Sequence, residues 1–162
     1  AAGMAELAYG EARDCDGTTI LLTIGTGIGS ALISEGRLVP NTEFGHLEMR
    51  GQAAETLVSG VARERRGLKW KPWAKEFNEY LAMLDFYFWP DRVILGGGVS
   101  KRSDKYWEYL ESGAELVKAK YLNTSGIIGA AYAAGLAAHE EAARKPAPRR
   151  RSTPGTAARK RG

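Results

Sequence analysis

The chain has 162 residues, of which 44% are hydrophobic, which is enough for one domain with a core of ordinary size. Residues 144–162 hold eight of the 23 basic side chains and none of the 19 acidic ones. The net charge of +4 is therefore the sum of +8 in this segment and −4 in the rest of the chain. The single cysteine excludes a disulfide framework, and no segment approaches the roughly 20 apolar residues of a membrane span. These features predict a cytoplasmic protein without membrane contacts.

The first predicted elements are a helix over residues 1–7 and a β-hairpin. Apolar segments on either side of the Gly-Thr-Gly at 25–27 predict two strands within residues 20–33, and residues 37–39 predict a third. Glycines at the tip leave bare backbone, so several N–H groups can converge on an anion there. A tight hairpin that binds nothing explains the same pattern. It is not the dinucleotide fingerprint, because Ser30 stands where the last glycine belongs.

Two helices are predicted next. Apolar residues spaced i, i+3, i+4 and i+7 indicate one amphipathic helix. They are Ala54, Leu57, Val58 and Val61. The second helix is predicted over residues 73–89 and ends before Pro90. Its apolar face consists of Phe77, Leu81, Leu84 and Phe88.

In the rest of the chain, predicted strands and helices alternate. Residues 92–95 predict a buried strand, a helix follows from near Ser103, and residues 115–120 predict a last strand. A helix of small residues is expected over 126–138. This order predicts an α/β domain with a mixed sheet over residues 1–143, followed by a disordered basic tail over 144–162.

A carboxylate and an imidazole lie close together after the third strand. Glu43 and His46 are near enough in sequence to face one polar ligand, and Glu55 can add a second carboxylate. These groups suit the hydroxyls of a sugar better than a phosphate. The alternative without a binding function is that the glutamate caps a helix and the histidine lies on the surface. No metal site is expected, because the only other histidine is His139 and Cys15 has no second cysteine.

Three glycines follow the buried strand, at the strand end where ligands collect in α/β sheets. They are Gly96, Gly97 and Gly98. Bare backbone there admits a nucleotide or a phosphate, and the cations on the next turn favour polyanions. Those cations are Lys101, Arg102 and Lys105. A loop that needs only flexibility is the alternative.

Residues 63–75 contain six cations and one acid. With Lys69 and Lys71 among them, this stretch predicts a track for a polyphosphate chain, whose binding would weaken steeply with salt. A solvated helix junction, with Trp70 and Trp73 packed on the core, explains the composition equally well.

Three motifs together resemble the ROK sugar kinases of the actin-like ATPase superfamily, which have a ribonuclease H-like fold. They are Ile-Gly-Thr-Gly-Ile-Gly at 24–29, Glu-Phe-Gly-His at 43–46 and Ile-Leu-Gly-Gly-Gly-Val-Ser at 94–100. The Gly-Leu-Lys-Trp-Lys-Pro-Trp-Ala at 67–74 narrows the likeness to the actinobacterial glucokinases of this family that use polyphosphate. The resemblance covers about residues 1–138.

The resemblance implies phosphoryl transfer from polyphosphate, or ATP, to the 6-hydroxyl of glucose by a homodimer with Mg²⁺. It assigns glucose binding to Glu43, His46 and Glu55. It assigns donor phosphates to the hairpin tip, and the nucleotide or polyphosphate site to the second glycine turn. The tip residues are Gly25, Thr26, Gly27 and Gly29, and the turn residues are Gly96, Gly97 and Gly98.

Two departures from the family pattern matter. The zinc-binding cysteines of many members are absent between His46 and Glu55, so zinc is not expected. The amino-terminal lobe and the aspartate that acts as catalytic base precede Ala1 in the family. The chain therefore resembles the carboxyl-terminal lobe of a two-lobe kinase and is expected to be nearly inactive alone.

Other functions remain open. A sugar-sensing transcriptional regulator of the same family, or a kinase for another hexose, fits the sugar loop as well. Nucleic acid is expected as a partner only through the basic tail.

Overall fold

The computed structural model describes residues 2–120, in which helices cover both faces of a five-stranded sheet. The helices are α1 (Ala2–Tyr9), α2 (Glu55–Val58), α3 (Gly60–Arg65) and α4 (Trp70–Phe88). The strands are β1 (Thr18–Ile24), β2 (Ile28–Ser34), β3 (Arg37–Val39), β4 (Glu48–Met49), β5 (Gln52–Ala53), β6 (Arg92–Gly96) and β7 (Glu115–Lys118). Short 3₁₀ helices cover Phe44–His46, Gly98–Lys105 and Trp107–Tyr109.

The sheet is mixed, as the sequence predicts. Its strand order is β3-β2-β1-β6-β7, with β1, β2 and β3 antiparallel and with β6 and β7 parallel to β1. Ile24 pairs with Ile28 at the hairpin end, and Thr23 pairs with Gly96 across the parallel ladder. The hairpin tip and the turn after β6 therefore lie at the same edge of the sheet, the carboxyl end of β1 and β6.

Helix α4 supplies the largest buried side chains of the main core. Trp73, Phe77, Tyr80, Leu81 and Leu84 are fully buried in one hydrophobic cluster together with the inward side of β1. The apolar face predicted from the sequence is thus confirmed, with Phe88 partly buried against the same cluster. The opposite side of the sheet carries a smaller cluster against which residues of α1 pack. Both faces of the central strands are buried, so the functional edge is held by a rigid base.

The single helix predicted from Ala54 to Val61 is wrong, because two short helices replace it. Ser59 lies between them in an extended conformation, and its Oγ accepts a hydrogen bond from the amide of Ala62 as the cap of α3. The break turns Val61 outward, where 45% of it is exposed. The apolar spacing predicted burial of Val61 and carried no signal of the cap.

The helix predicted near Ser103 is also wrong in type and start. A 3₁₀ helix begins at Gly98 instead and has non-helical backbone angles at Arg102. The short β4–β5 hairpin was not predicted; its turn places Arg50 and Gly51 at positive φ. The predicted helix at 126–138, His139 and the basic tail at 144–162 lie outside the described residues.

Within residues 2–120, no helix combines the length and apolarity needed to cross a membrane.

Candidate functional site

The tip of the β1–β2 hairpin is bare backbone at the centre of the site. The Gly25 amide donates to the Gly27 carbonyl at 2.9 Å, and the Val61 amide donates to the Gly25 carbonyl at 3.2 Å. The amides of Thr26 and Gly27 make no hydrogen bond to any described residue. They remain available to an acceptor on a ligand, which fits the anion-binding hypothesis for this turn.

Two glycines allow the neighbouring segments to reach the tip. Gly97 has a φ of +83°, and a Cβ there would lie 2.5 Å from the backbone N and O of Ile24. A Cβ on Gly60 would lie 2.9 Å from the carbonyl oxygen of Gly25. Only residues without a side chain permit both approaches. The turn after β6, the start of α3 and the hairpin therefore converge at one point.

On one side of the tip lies a cleft of about 440 Å³, which we call the acidic cleft. It is lined by Thr23, Gly25, Thr26, Gly27, Ile28, Gly29, Glu43, Glu55 and Gly97. Glu55 Oε2 accepts a hydrogen bond from the Ile28 amide at 3.1 Å, and Glu55 Oε1 lies 3.6 Å from His46 Nε2. The cleft thus contains Glu43 and Glu55, two of the three residues predicted to bind the sugar, and His46 lies outside its lining but beside Glu55.

The loop that carries Glu43 and His46 is fixed to strand β2 by Ser30. The Ser30 hydroxyl donates to the Thr42 carbonyl at 3.0 Å and accepts from the Phe44 amide at 2.8 Å. Sequence reasoning used Ser30 only to reject the dinucleotide fingerprint and missed this role. A serine directed at a loop leaves no periodic signal, so only the fold could identify it.

Two tyrosine hydroxyls lie buried near the site without a hydrogen-bond partner among the described residues. Burial, and then the negative charge of Glu55, raises the pKa of Tyr80 well above its usual range. Burial raises the pKa of Tyr106 to about 12. Both phenols are therefore neutral at physiological pH and do not serve as bases in the cleft.

A second cleft, of about 470 Å³, adjoins the tip at Gly25, and we call it the basic cleft. It is lined by Gly25, Gly60, Val61, Arg63, Glu64, Trp70, Gly98, Val99, Arg102 and Lys105. Three cations and one carboxylate form its charged lining. Arg102 and Lys105 were predicted from the sequence, whereas Arg63 was not singled out within the run of cations at 63–75.

The other predicted donor contacts lie outside the lining of both clefts. Lys71 Nζ lies 4.9 Å from the ring centre of Tyr109, and Lys69 and Lys101 are exposed. Gly96 is buried as the last residue of β6. Trp73 is fully buried, as the helix-junction interpretation of this stretch predicts. Contact of these cations with a donor stays a prediction.

Arg66, in the same run of cations, is paired within the fold. Its guanidinium contacts both carboxylate oxygens of Glu76, at 2.6 and 2.9 Å, and also donates to the Leu57 carbonyl. Hydrogen bonding to Arg66 lowers the pKa of Glu76. The pair joins α3 to α4, so Arg66 contributes to the scaffold rather than to the basic cleft.

Among residues 2–120, no group of three or more His, Cys, Asp and Glu side chains is arranged to hold a metal ion. Glu55, the carboxylate beside the tip, already accepts from the Ile28 amide and faces His46. A Mg²⁺ ion here would therefore depend on oxygen ligands other than a cluster of these side chains. Mg²⁺ usually keeps several waters and binds through substrate phosphates, so its arrival with the donor stays a prediction.

Comparison with known proteins finds kinases. The chain is 45% identical over 133 residues to the polyphosphate glucokinase of Mycobacterium tuberculosis strain CDC 1551, covering 82% of this chain and 50% of that protein. It superimposes on the inorganic polyphosphate/ATP-glucomannokinase of Arthrobacter sp. strain KM with a TM-score of 0.82 and 46% identity, covering 84% and 54% of the two chains.

A more distant solved structure has the same fold. It is a ROK family glucokinase from Streptomyces griseus in complex with glucose and AMPPNP, with a TM-score of 0.67 and 20% identity over 82% of this chain and 64% of that one. No protein-family model matches the chain. The chain spans about half the length of the curated relatives it matches first.

Proposed function

We propose, on the premise that this chain is a relative of the ROK sugar kinases, that it provides the glucose-binding and donor-binding surfaces of a phosphotransferase. The premise rests on 45% identity to a polyphosphate glucokinase and on the shared actin-like ATPase fold of the ROK kinases. The proposed reaction transfers a terminal phosphoryl group from polyphosphate, or from ATP, to the 6-hydroxyl of glucose.

The position of Glu55 is the observation that carries the proposal. Its carboxylate contacts the hairpin tip through Ile28 and lies beside His46, so one side chain connects the sugar loop to the phosphate turn. Carboxylates accept hydrogen bonds from sugar hydroxyls, and an imidazole donates or accepts. A hexose in the acidic cleft would therefore be oriented next to the backbone where a phosphate would bind.

The donor is proposed to approach from the other side of the tip. Arg102 and Lys105 in the basic cleft attract a polyanion, and the free amides of Thr26 and Gly27 offer hydrogen bonds to its end. Phosphoryl transfer depends mainly on alignment and on stabilising charge at the transferred group. Transfer needs the sugar hydroxyl and the terminal phosphoryl group within about 3.5 Å of each other, and the two clefts adjoin at Gly25.

The negative charge of Glu55 also explains why the two sides differ. A carboxylate beside the Ile28 amide disfavours a phosphate in the acidic cleft, because like charges repel across a short distance. A neutral sugar meets no such penalty there. The acidic cleft therefore favours the acceptor, and only the end of the donor reaches the tip while the rest of its charge lies in the basic cleft.

Isothermal titration calorimetry with glucose tests the sugar site in the 162-residue chain. Glu55→Gln is expected to weaken glucose binding by about 10- to 100-fold, since it removes hydrogen bonds to a charged acceptor. Glu48→Gln is the matched control, because Glu48 is an exposed carboxylate on the neighbouring β4 strand.

Equal glucose affinity in the wild-type chain and in Glu55→Gln would contradict the assignment. Tighter binding of fructose than of glucose would contradict the choice of sugar. Titration with polyphosphate in the same cell tests the donor separately, because the two clefts are lined by different charged residues.

A further inference from the structure

Arg63 is the least expected member of the basic cleft. It lies on α3, and its side chain is only 18% exposed. Its Nη1 donates to the Leu68 carbonyl at 2.8 Å, and its Nη2 lies 3.6 Å from a carboxylate oxygen of Glu64. The Nε–H is buried and has no hydrogen-bond partner among residues 2–120. The guanidinium is thus fixed in place, with Nη1 bonded to the fold and Nε buried.

The same guanidinium covers an aromatic ring. Its central carbon lies 4.0 Å from the ring centre of Trp70. The Trp70 indole also stacks on Tyr106, with ring centres 5.4 Å apart and planes inclined by 26°. Trp70 therefore already has a cation and a phenol ring packed against it. Of the residues that line the basic cleft, Trp70 is the only aromatic one.

This arrangement matters for the kind of donor that fits. A nucleoside donor needs a flat or apolar surface for its base, and aromatic faces are well suited to stack one. In the basic cleft, that surface is occupied by Arg63. A phosphate chain needs no such surface, and a guanidinium donates charge-assisted hydrogen bonds to phosphate oxygens.

We infer that Arg63 determines donor specificity: it binds phosphate oxygens of a linear polyphosphate and, by covering Trp70, prevents a nucleobase from stacking in the basic cleft. This inference rests on the proposed function, because it takes the basic cleft as the donor side. It goes beyond that function in naming the residue that selects between the two donors.

The test compares the dissociation constants of linear polyphosphate, of one defined chain length, and of ATP for the 162-residue chain. Arg63→Ala is expected to weaken polyphosphate binding about tenfold, the loss of one charge-assisted contact, and to weaken ATP binding less or to strengthen it. The ratio of the two constants should therefore move toward ATP by about tenfold.

Two further variants separate shape from charge. Arg63→Lys keeps the charge and a donor for the Leu68 carbonyl but loses the planar group over Trp70. It is expected to retain most of the polyphosphate affinity and still to shift the ratio toward ATP, since Trp70 is uncovered. Arg37→Ala, which removes an exposed cation from β3, is the charge-matched control and is expected to leave the ratio unchanged.

The outcomes are distinct. An unchanged ratio in both Arg63 variants would overturn the inference and leave the proposed function intact. A ratio that shifts in Arg63→Ala and not in Arg63→Lys would also overturn it, because charge alone would then explain the preference. A wild-type chain that binds glucose and not polyphosphate would contradict the donor part of the proposed function, and with it this inference. Unchanged glucose affinity in each variant shows that the fold is intact.

Discussion

The acidic and basic clefts share the backbone of Gly25 and differ in almost everything else. The acidic cleft is lined by two carboxylates and no cation, and the basic cleft by three cations and one carboxylate. A single turn of chain thus separates surfaces that suit a neutral polyhydroxyl compound and a polyanion. Electrostatics can therefore favour two different ligands in clefts that adjoin at one residue.

The clefts also differ in how they are held. The acidic cleft depends on backbone pairing in the hairpin and on hydrogen bonds from Ser30, so all of its lining except Gly97 comes from residues 23–55. The basic cleft joins the starts of α3 and α4 to the turn after β6, which are distant in sequence. We therefore expect substitutions at the shared tip to damage both clefts, and substitutions in the walls to damage one.

The largest effect is expected from Gly97→Ala. The added Cβ would meet the backbone of Ile24 at 2.5 Å, and the residue would keep a φ of +83°. Because backbone atoms cannot move aside cheaply, the free energy of unfolding should fall by more than about 3 kcal/mol. Urea denaturation followed by tryptophan fluorescence measures it.

Gly36→Ala provides the matched control. Gly36 also has a positive φ, +69°, but its Cβ would meet nothing within 4 Å. Its cost should be only about 1–2 kcal/mol, the conformational penalty alone. Equal losses in the two variants would show that the close approach to Ile24 is unimportant.

The second-largest effect is expected on polyphosphate binding in the basic cleft. The double variant Arg102→Ala/Lys105→Ala is expected to weaken polyphosphate binding by about 10- to 100-fold at low salt and to reduce the slope of log affinity against log salt by about 2. Glucose affinity should stay the same. A salt slope equal to that of the wild-type chain would exclude both side chains from the donor site.

How far the sequence predicted these features depends on the kind of signal. Strands β1, β2 and β6 were predicted because apolar runs and glycine turns are local patterns. Glu43, His46 and Glu55 were found because chemical groups of the right type lie close together in sequence. The break at Ser59 was missed, because a helix cap competes with apolar periodicity and leaves it intact.

The roles of residues that act through long-range contacts could not be predicted from the sequence. In the sequence, Arg63 is one of six cations with nothing to mark it. In the structure it lies over Trp70 and lines the basic cleft beside Gly98, whereas Arg66 does not. Arg66 was set apart by Glu76, ten residues later on another helix. The charge of this stretch was therefore predictable, whereas the division of its cations between binding and scaffold was not.

The third effect concerns the acidic cleft alone. Ser30→Ala removes both hydrogen bonds that fix the Glu43 loop to β2 and leaves the Phe44 amide without that acceptor. Stability should fall by about 1–2 kcal/mol and glucose affinity by about 3- to 10-fold. Ser34→Ala, at the other end of the same strand, is the control. If polyphosphate affinity fell as much as glucose affinity, the two clefts would not be independent.

The smallest effect tests the assignment of Arg66 to the scaffold. Since the pKa of Glu76 is lowered in the folded chain, the charged pair stabilises the fold above the usual titration range of glutamate and is lost as the pH falls through the lowered pKa. Glu76→Gln should therefore cost about 1 kcal/mol at pH 7 and progressively less below about pH 4.5.

Denaturant unfolding of the wild-type chain and of Glu76→Gln, at neutral and at acidic pH, measures this difference. A cost that does not change with pH would mean that the Glu76 carboxylate stabilises the fold by packing rather than by its charge.

The most direct test of the two-cleft account is to map both ligands onto the backbone amides by NMR titration. Glucose is expected to shift the amides of Gly27, Ile28 and Glu43 and to leave Arg63 and Gly98 unchanged. Polyphosphate is expected to shift Arg63, Gly98 and Arg102, with the amides of Thr26 and Gly27 responding at the shared tip. If both ligands shifted the same set of amides, or if glucose shifted none of those in the acidic cleft, the division of the site into two clefts would be contradicted.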